Sequence, residues 1–145
     1  MIAFKEPRIS YLRALEYEIL RSIVLKGRDR GLGGGERAPY ANLLRVEGTL
    51  ESLNFDASMR PTYVHDANTP FPMQDESYDT LVSLNTLEHI ENHVAALSEA
   101  FRVLKPGGAF HIDVPFLFRM HGSPSDYHRH TCHWWENALA RVGVP

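Results

Sequence analysis

Asn85, Glu88 and His89 fall within five positions of one another, directly after the apolar run Tyr78 to Leu84. Ligand sites in open α/β sheets lie at the carboxyl ends of strands, and these residues stand at such an end. An imidazole titrates nearest neutrality, so His89 is the candidate general base for a hydroxyl acceptor. The competing reading is that Glu88 and His89 start or cap the helix that follows, because helix N-termini favour acidic residues. A second group, His128, His130, Cys132 and His133, carries metal-ligating side chains. On an extended chain His128, His130 and Cys132 share a face. Their i, i+2, i+4 spacing is awkward for one tetrahedral ion, so no metal site is predicted.

The elements that must position these groups follow from the pattern of apolar residues. Pro7 to Leu25 predicts a first helix with Ile9, Leu12, Leu15, Ile19, Leu20 and Ile23 in one stripe, stopped by Gly27. Arg28 to Arg37 is charged and glycine-rich. Ala38 to Arg45 predicts a short helix opened by Pro39. Leu50 to Phe55, Pro61 to His65, Tyr78 to Leu84 and Ala109 to Val114 predict strands. Leu81, Val82 and Leu84 imply burial on both faces, as in parallel sheets. Glu91 to Leu104 predicts a helix ended by Lys105-Pro106-Gly107-Gly108. After Pro115 the chain is irregular and histidine-rich, and Trp134 to Val142 predicts a closing helix. Strands alternating with helices imply a parallel, three-layer α/β sheet.

Bulk properties bound the function. A chain of 145 residues suits one domain, 1–145, in which 1–27 supplies a helix packed on the sheet. Its 43% hydrophobic content supports a core without disulfide or metal staples. A net charge of −3 gives no general surface for nucleic acid or an anionic membrane. The single cysteine, Cys132, excludes an internal disulfide and fits a reducing compartment. No apolar run reaches membrane-spanning length, and the first residues lack a leader pattern, so a cytoplasmic protein is expected.

Pro70-Phe71-Pro72, Ser77-Tyr78-Asp79, Leu87-Glu88-His89-Ile90 and Arg102 to Gly108, in this order, resemble class I S-adenosylmethionine-dependent methyltransferases. The resemblance runs from about Gly33 to the C-terminus. It implies a three-layer Rossmann-like sandwich with a mostly parallel sheet, and S-adenosylmethionine as cofactor. It places Gly33 to Gly35 in the turn after the first strand, where side chains would collide with the methionine end of the cofactor. It gives Asp56 the ribose hydroxyls, places Asp66 and Ala67 beside the adenine, and sets Asn85 beside the sulfonium. His121 to Thr131 resembles a substrate loop of pattern Asp-Tyr-x-Arg-x-Thr. There Tyr127 and His128 would shape the pocket, and Arg129 would pair with an anionic acceptor. The alternative is that Arg129 makes internal hydrogen bonds.

Two features depart from the family pattern. Gly31 stands where an acidic residue is expected, and Arg28-Asp29-Arg30 is poor filling for a central buried strand. Either the first strand is shifted, distorted or absent, or the cofactor site is damaged. The chain stops just after the helix that follows the fifth strand, so a truncated sheet is expected, its edge covered in a homodimer. The function expected is an S-adenosylmethionine-dependent methyltransferase acting on a small-molecule or glycan-like acceptor. The alternative is a methyltransferase-like binding or assembly module with a degenerate cofactor site. Pairing of Arg28 to Gly31 as a central strand, together with contact of the glycine turn with ligand, favours the first; a loop there favours the second.

Overall fold

Tyr78–Leu84 forms a strand over its whole span, with Leu81, Val82 and Leu84 buried. In the computed structural model, which describes residues 11–38, 40–122 and 124–143, it is one of five strands in a parallel sheet. These are β1 (Arg28–Leu32), β2 (Thr49–Asn54), β3 (Tyr63–Val64), β4 (Tyr78–Leu84) and β5 (Leu104–Asp113). Their spatial order is β3-β2-β1-β4-β5, every neighbouring pair being parallel. The order reverses between β1 and β4, and such a reversal opens a crevice at the carboxyl ends of the strands.

Helices cover both faces: α1 (Tyr11–Ser22), α2 (His93–Val103) and α3 (Cys132–Arg141). Asn92 caps α2 by accepting a hydrogen bond from Ala95 N at 3.4 Å. Ala96, Leu97, Ala100 and Val103 then recur at helical spacing and are buried against Leu53, Tyr78 and Leu81 of the sheet. Each fully buried leucine or valine there is worth about 1.5–3 kcal/mol. On the other face Leu20 of α1 joins Leu25, Leu44, Val82 and Leu84. The result is the three-layer arrangement expected. β5 is an edge strand among the described residues.

The charged segment Arg28 to Leu32 is a regular central strand, paired with β2 on one side and β4 on the other. The strand pairs regularly, without the expected distortion: the Arg30 charge within it is held from several directions, whereas the Asp29 carboxylate, also buried, has no hydrogen-bond partner among the described residues. Arg30 is only 1% exposed, and its Nη2 lies 2.6 Å from Glu51 Oε2 and also donates to the Tyr78 hydroxyl. That hydroxyl in turn donates to Glu51 Oε2 at 2.5 Å. The guanidinium lies over the rings of Tyr63 and Tyr78, at 4.5 and 4.4 Å from their centroids. Aromatic faces and a carboxylate thus replace the water that the charge has lost.

Other elements differ from expectation. Val24 and Leu25 do not continue α1 but pair with Arg45 and Val46 in a two-stranded ribbon. Pro7, Ile9 and Pro39 lie outside the described residues. Leu15 and Ile19 of the predicted stripe are 53% and 58% exposed. The helix instead turns Glu16, Tyr17 and Leu20 inward, because Glu16 bonds to Asn85 across the fold. No helix forms over 40–45. Ala41 N and Leu43 N close turns onto Ala38 O and Tyr40 O, and the chain then enters the ribbon. Gly27 acts as a close-approach residue rather than a helix stop: a Cβ there would strike the Asp79 side chain.

Breaking the support of Arg30 should cost more than removing the charge altogether. Glu51→Ala is expected to lower stability by about 3 kcal/mol, because a buried cation loses its partner. The double variant Arg30→Met, Glu51→Gln is expected to recover most of that loss. Urea unfolding of the three proteins checks both.

Candidate active site

Beyond the carboxyl ends of β1 to β4 lies a cleft of about 350 Å³. Gly33, Asp56, Asp66, Ala67, Asn85, His89 and Tyr127 all line it. Leu32, Leu53, Phe55, Met59 and Ile90 give it an apolar surface. Gly35, His128 and Arg129 do not line it. Gly35 passes under the Met59 carbonyl and borders a separate hollow with Tyr40 and Leu44. His128 lines a separate, small cavity instead.

Asn54 shapes the glycine turn. Its side-chain amide donates to the carbonyls of Gly33 at 2.8 Å and Gly34 at 3.1 Å, while its Oδ1 accepts from Asp56 N at 3.0 Å. One buried side chain therefore ties the end of β2 to the turn after β1. Gly33 has φ 83°, and a Cβ there would collide with Thr86. Both observations require glycine at this position.

Two carboxylates stand at the ends of β2 and β3. Asp56 Oδ1 caps the 3₁₀ turn Ala57–Met59 by accepting from Ser58 N at 2.8 Å. Asp66 Oδ1 accepts from the backbone and side-chain nitrogens of Asn68 at 2.9 and 2.8 Å. The Ser58 bonds hold the Asp56 carboxyl below the usual carboxylate range, and the Asn68 bonds do the same for Asp66. Both are anionic acceptors at neutral pH.

At the end of β4 the backbone of Asn85 takes a left-handed φ of 48°. Its Nδ2 donates to Glu16 Oε1 at 2.9 Å and to Asp113 Oδ2 at 3.3 Å. Burial, followed by a hydrogen bond with the Asp113 carboxylate, pushes the Glu16 carboxyl up to about 7. Glu88 and His89 sit in a 3₁₀ turn, Leu87–His89, and Asn92 supplies the cap of α2, so neither caps that helix. His89 Nδ1 lies 2.5 Å from the Ser125 carbonyl, which accepts its proton and leaves Nε2 as the basic nitrogen. Nε2 is 3.6 Å from Glu88 Oε1, and burial pushes the Glu88 carboxyl up to about 7.

The loop after β5 folds onto this turn. Tyr127 N donates to Glu88 O at 2.8 Å, which brings the Tyr127 side chain to the cleft. Arg129 makes the internal contacts that were the alternative reading. Its Nη1 and Nη2 grip Asp126 at 2.5 and 2.6 Å, and that grip brings Asp126 down to about 2. Asn54, Thr86 and Glu16 were not foreseen. A buried-strand pattern ending in a polar residue could have flagged Asn54; nothing near Glu16 in the sequence points to Asn85.

A nucleotide-sized cleft across the switch point of a parallel sheet, with glycine after the first strand and an acid after the second, defines a Rossmann-like cofactor-binding domain. Within that class the chain belongs to the methyltransferase-domain family, whose model matches residues 29–112. It is 37% identical over 121 residues to a probable S-adenosylmethionine-dependent methyltransferase of Mycolicibacterium smegmatis. That match covers 77% of this chain and 45% of the relative, so the chain spans under half of the relative's length. The fold is also similar to a chain of the complex between the Haloferax volcanii Trm112 methyltransferase activator and a methyltransferase. There the TM-score is 0.68 at 20% identity, covering 90% of this chain and 66% of that one. Haemonchus contortus phosphoethanolamine N-methyltransferase 2, solved with S-adenosyl-L-methionine, gives a TM-score of 0.66 at 16% identity, covering 92% of this chain and 37% of that one.

The Glu16 carboxyl gives the site a pH signature. Its folded value, about 7, is raised above the ordinary 4.5. Its contribution is therefore fully present below 4.5 and lost as pH rises through about 7. Glu16→Gln is expected to match the parent at about pH 4 and to exceed it by about 1–2 kcal/mol at about pH 8. Urea unfolding at the two pH values checks the sign.

Proposed function

We propose that this chain binds S-adenosylmethionine in the cleft and transfers its methyl group to a small-molecule or glycan-like acceptor. The observation that carries this reading is the pair of ionised carboxylates, Asp56 and Asp66, on a cleft that also presents apolar side chains and the bare backbone of Gly33. An adenosyl group has those needs: an apolar slot for the base, an anionic acceptor for the ribose diol, and close backbone approach. The residues present therefore fit the cofactor. The names of the Mycolicibacterium smegmatis and Haemonchus contortus relatives support the same assignment.

When bound, S-adenosylmethionine supplies an already activated methyl group for in-line displacement at its sulfonium. The chain contributes alignment, exclusion of water and proton handling. Asp56 accepts from the ribose hydroxyls and Asp66 from the adenine amino group. Gly33 keeps the wall beside the methionine end free of side chains, and Asn85 closes that end. Tyr127 covers the mouth and shapes the acceptor site. His89 Nε2 takes the acceptor's proton while the Ser125 carbonyl holds its other nitrogen. Regular pairing of β1 on both sides supports a competent cofactor site over a degenerate binding module.

Titration calorimetry with S-adenosylhomocysteine tests the cofactor assignment. Binding is expected, and Asp56→Ala is expected to weaken it about 10- to 100-fold, the worth of a hydrogen bond to a charged group. Absence of heat and of any thermal shift at millimolar ligand would overturn the reading. For a hydroxyl acceptor, His89→Ala is expected to lower kcat about 10²- to 10⁴-fold with little change in cofactor affinity. Unchanged turnover would remove His89 from the chemistry.

A further inference from the structure

A small, partly open cavity of about 10 Å³ lies where α2, the loop after β5 and α3 meet, lined by Leu87, Glu88, His93, His128, His130 and Trp135. It has room for one water-sized occupant. Leu87, Val114 and Pro115 make part of its wall apolar, and several polar atoms on the rest are under-used. Both Glu88 oxygens, His93 Nδ1 and Trp135 Nε1 have no hydrogen-bond partner among the described residues. Glu88 and His93 are only 2% and 7% exposed. Buried polar atoms rarely stay unpaired, so an occupant with several polar contacts is called for.

The imidazoles offer more than a water needs. Ligand nitrogens of His93, His128 and His130 all lie within 4.8 Å of one another. His93 Nε2 and His130 Nε2 are 2.9 Å apart. Two nitrogens on one tetrahedral zinc, each bonded at about 2.0–2.1 Å, stand about 3.3 Å apart, so a shift of a few tenths of an ångström suffices. His128 Nε2 faces the carbonyls of Ile90 and Glu91 at 3.1 Å each. Those carbonyls accept its proton and leave Nδ1 as a free lone pair, the outer-sphere arrangement that orients metal-bound histidines. The His130 ring is fixed by stacking on Trp134 at 3.5 Å and 8°.

We propose that His93, His128 and His130 form a zinc site, with Glu88 lining the same cavity as the balancing carboxylate. Sequence spacing pointed away from a metal because it offered Cys132 as the third donor, and Cys132 is exposed. The fold replaces it with His93 from α2. Zinc there would clamp the loop that carries Tyr127 onto α2. The proposal does not rest on the methyltransferase reading.

The test uses the untagged protein, stripped of metal and titrated with zinc chloride by calorimetry. One zinc per chain is expected, with a higher Tm than in the stripped protein. Cobalt(II) is expected to give the intense visible bands of a tetrahedral site. His130→Phe keeps a ring stacked on Trp134 and is expected to weaken zinc binding by more than about 100-fold, beyond the loss of an outer-sphere partner. His121→Phe, in the neighbouring Glu88, His89, His121 group, is expected to bind zinc as the parent does. Failure of the parent chain to take up stoichiometric zinc would overturn the proposal and leave the cavity to water. Equal affinity in His130→Phe, or loss in His121→Phe instead, would overturn it by placing the ion elsewhere. S-adenosylhomocysteine binding, measured on the same samples, keeps failure of this site distinct from failure of the cofactor site.

Discussion

The structure depends on a buried cation being tolerable in the middle of a sheet. β1 is the strand at which the spatial order reverses, so every ligand-facing turn is measured from it. Arg30 sits in that strand with almost no access to water. Glu51 from β2, the Tyr78 hydroxyl from β4 and the Tyr63 ring from β3 all converge on its guanidinium. The arrangement is more than compensation. It draws residues from three neighbouring strands to one point and so helps to fix their registers, on which the placement of Gly33, Asp56 and Asp66 relies.

From that fixed strand the cleft is assembled by short polar ties rather than by long side chains. Asn54 holds the turn after β1 against the end of β2, and Ser58 and Asn68 lock one oxygen of each acidic residue. Carboxylates held in this way are preorganised acceptors and need little rearrangement to meet a ligand. The other end of the cleft is built differently. Asn85 bridges two acids, and His89 leans on a loop carbonyl and a buried glutamate. One end is thus rigid and anionic, the other rich in groups that can hold or release a proton near neutrality.

Much of this was legible in the sequence, for physical reasons that differ by element. β4 and α2 could be read because their apolar residues follow one period without interruption, and packing on both faces of β4 agrees with that pattern. β1 was misjudged because the Arg30 side chain was weighed without its partners, Glu51, Tyr63 and Tyr78, which lie on neighbouring strands far from it in the sequence. α1 was placed correctly but rotated, since Leu15 and Ile19 promise more burial than Glu16, while the long-range bond of Glu16 decides the orientation. The segment 40–45 has helix-forming residues, yet the ribbon with Val24 and Leu25 takes the chain in an extended form. The position of Asp56, Asp66 and Asn85 on the cleft was legible because strand ends dictate which residues border the crevice. That Gly35, His128 and Arg129 lie off it was not, because loop paths depend on contacts such as Arg129 with Asp126 that only the folded chain reveals.

The bond between Glu16 and Asn85 spans 69 positions and starts outside the segment that defines the family. The shared core of the domain therefore does not complete the cleft by itself. The leading helix works as a latch on the end of β4, and the loop carrying Tyr127 closes over the cleft from the opposite terminus. Divergence in these two flanking pieces could reshape one end of the cleft while the end that carries Asp56 and Asp66 stayed as it is.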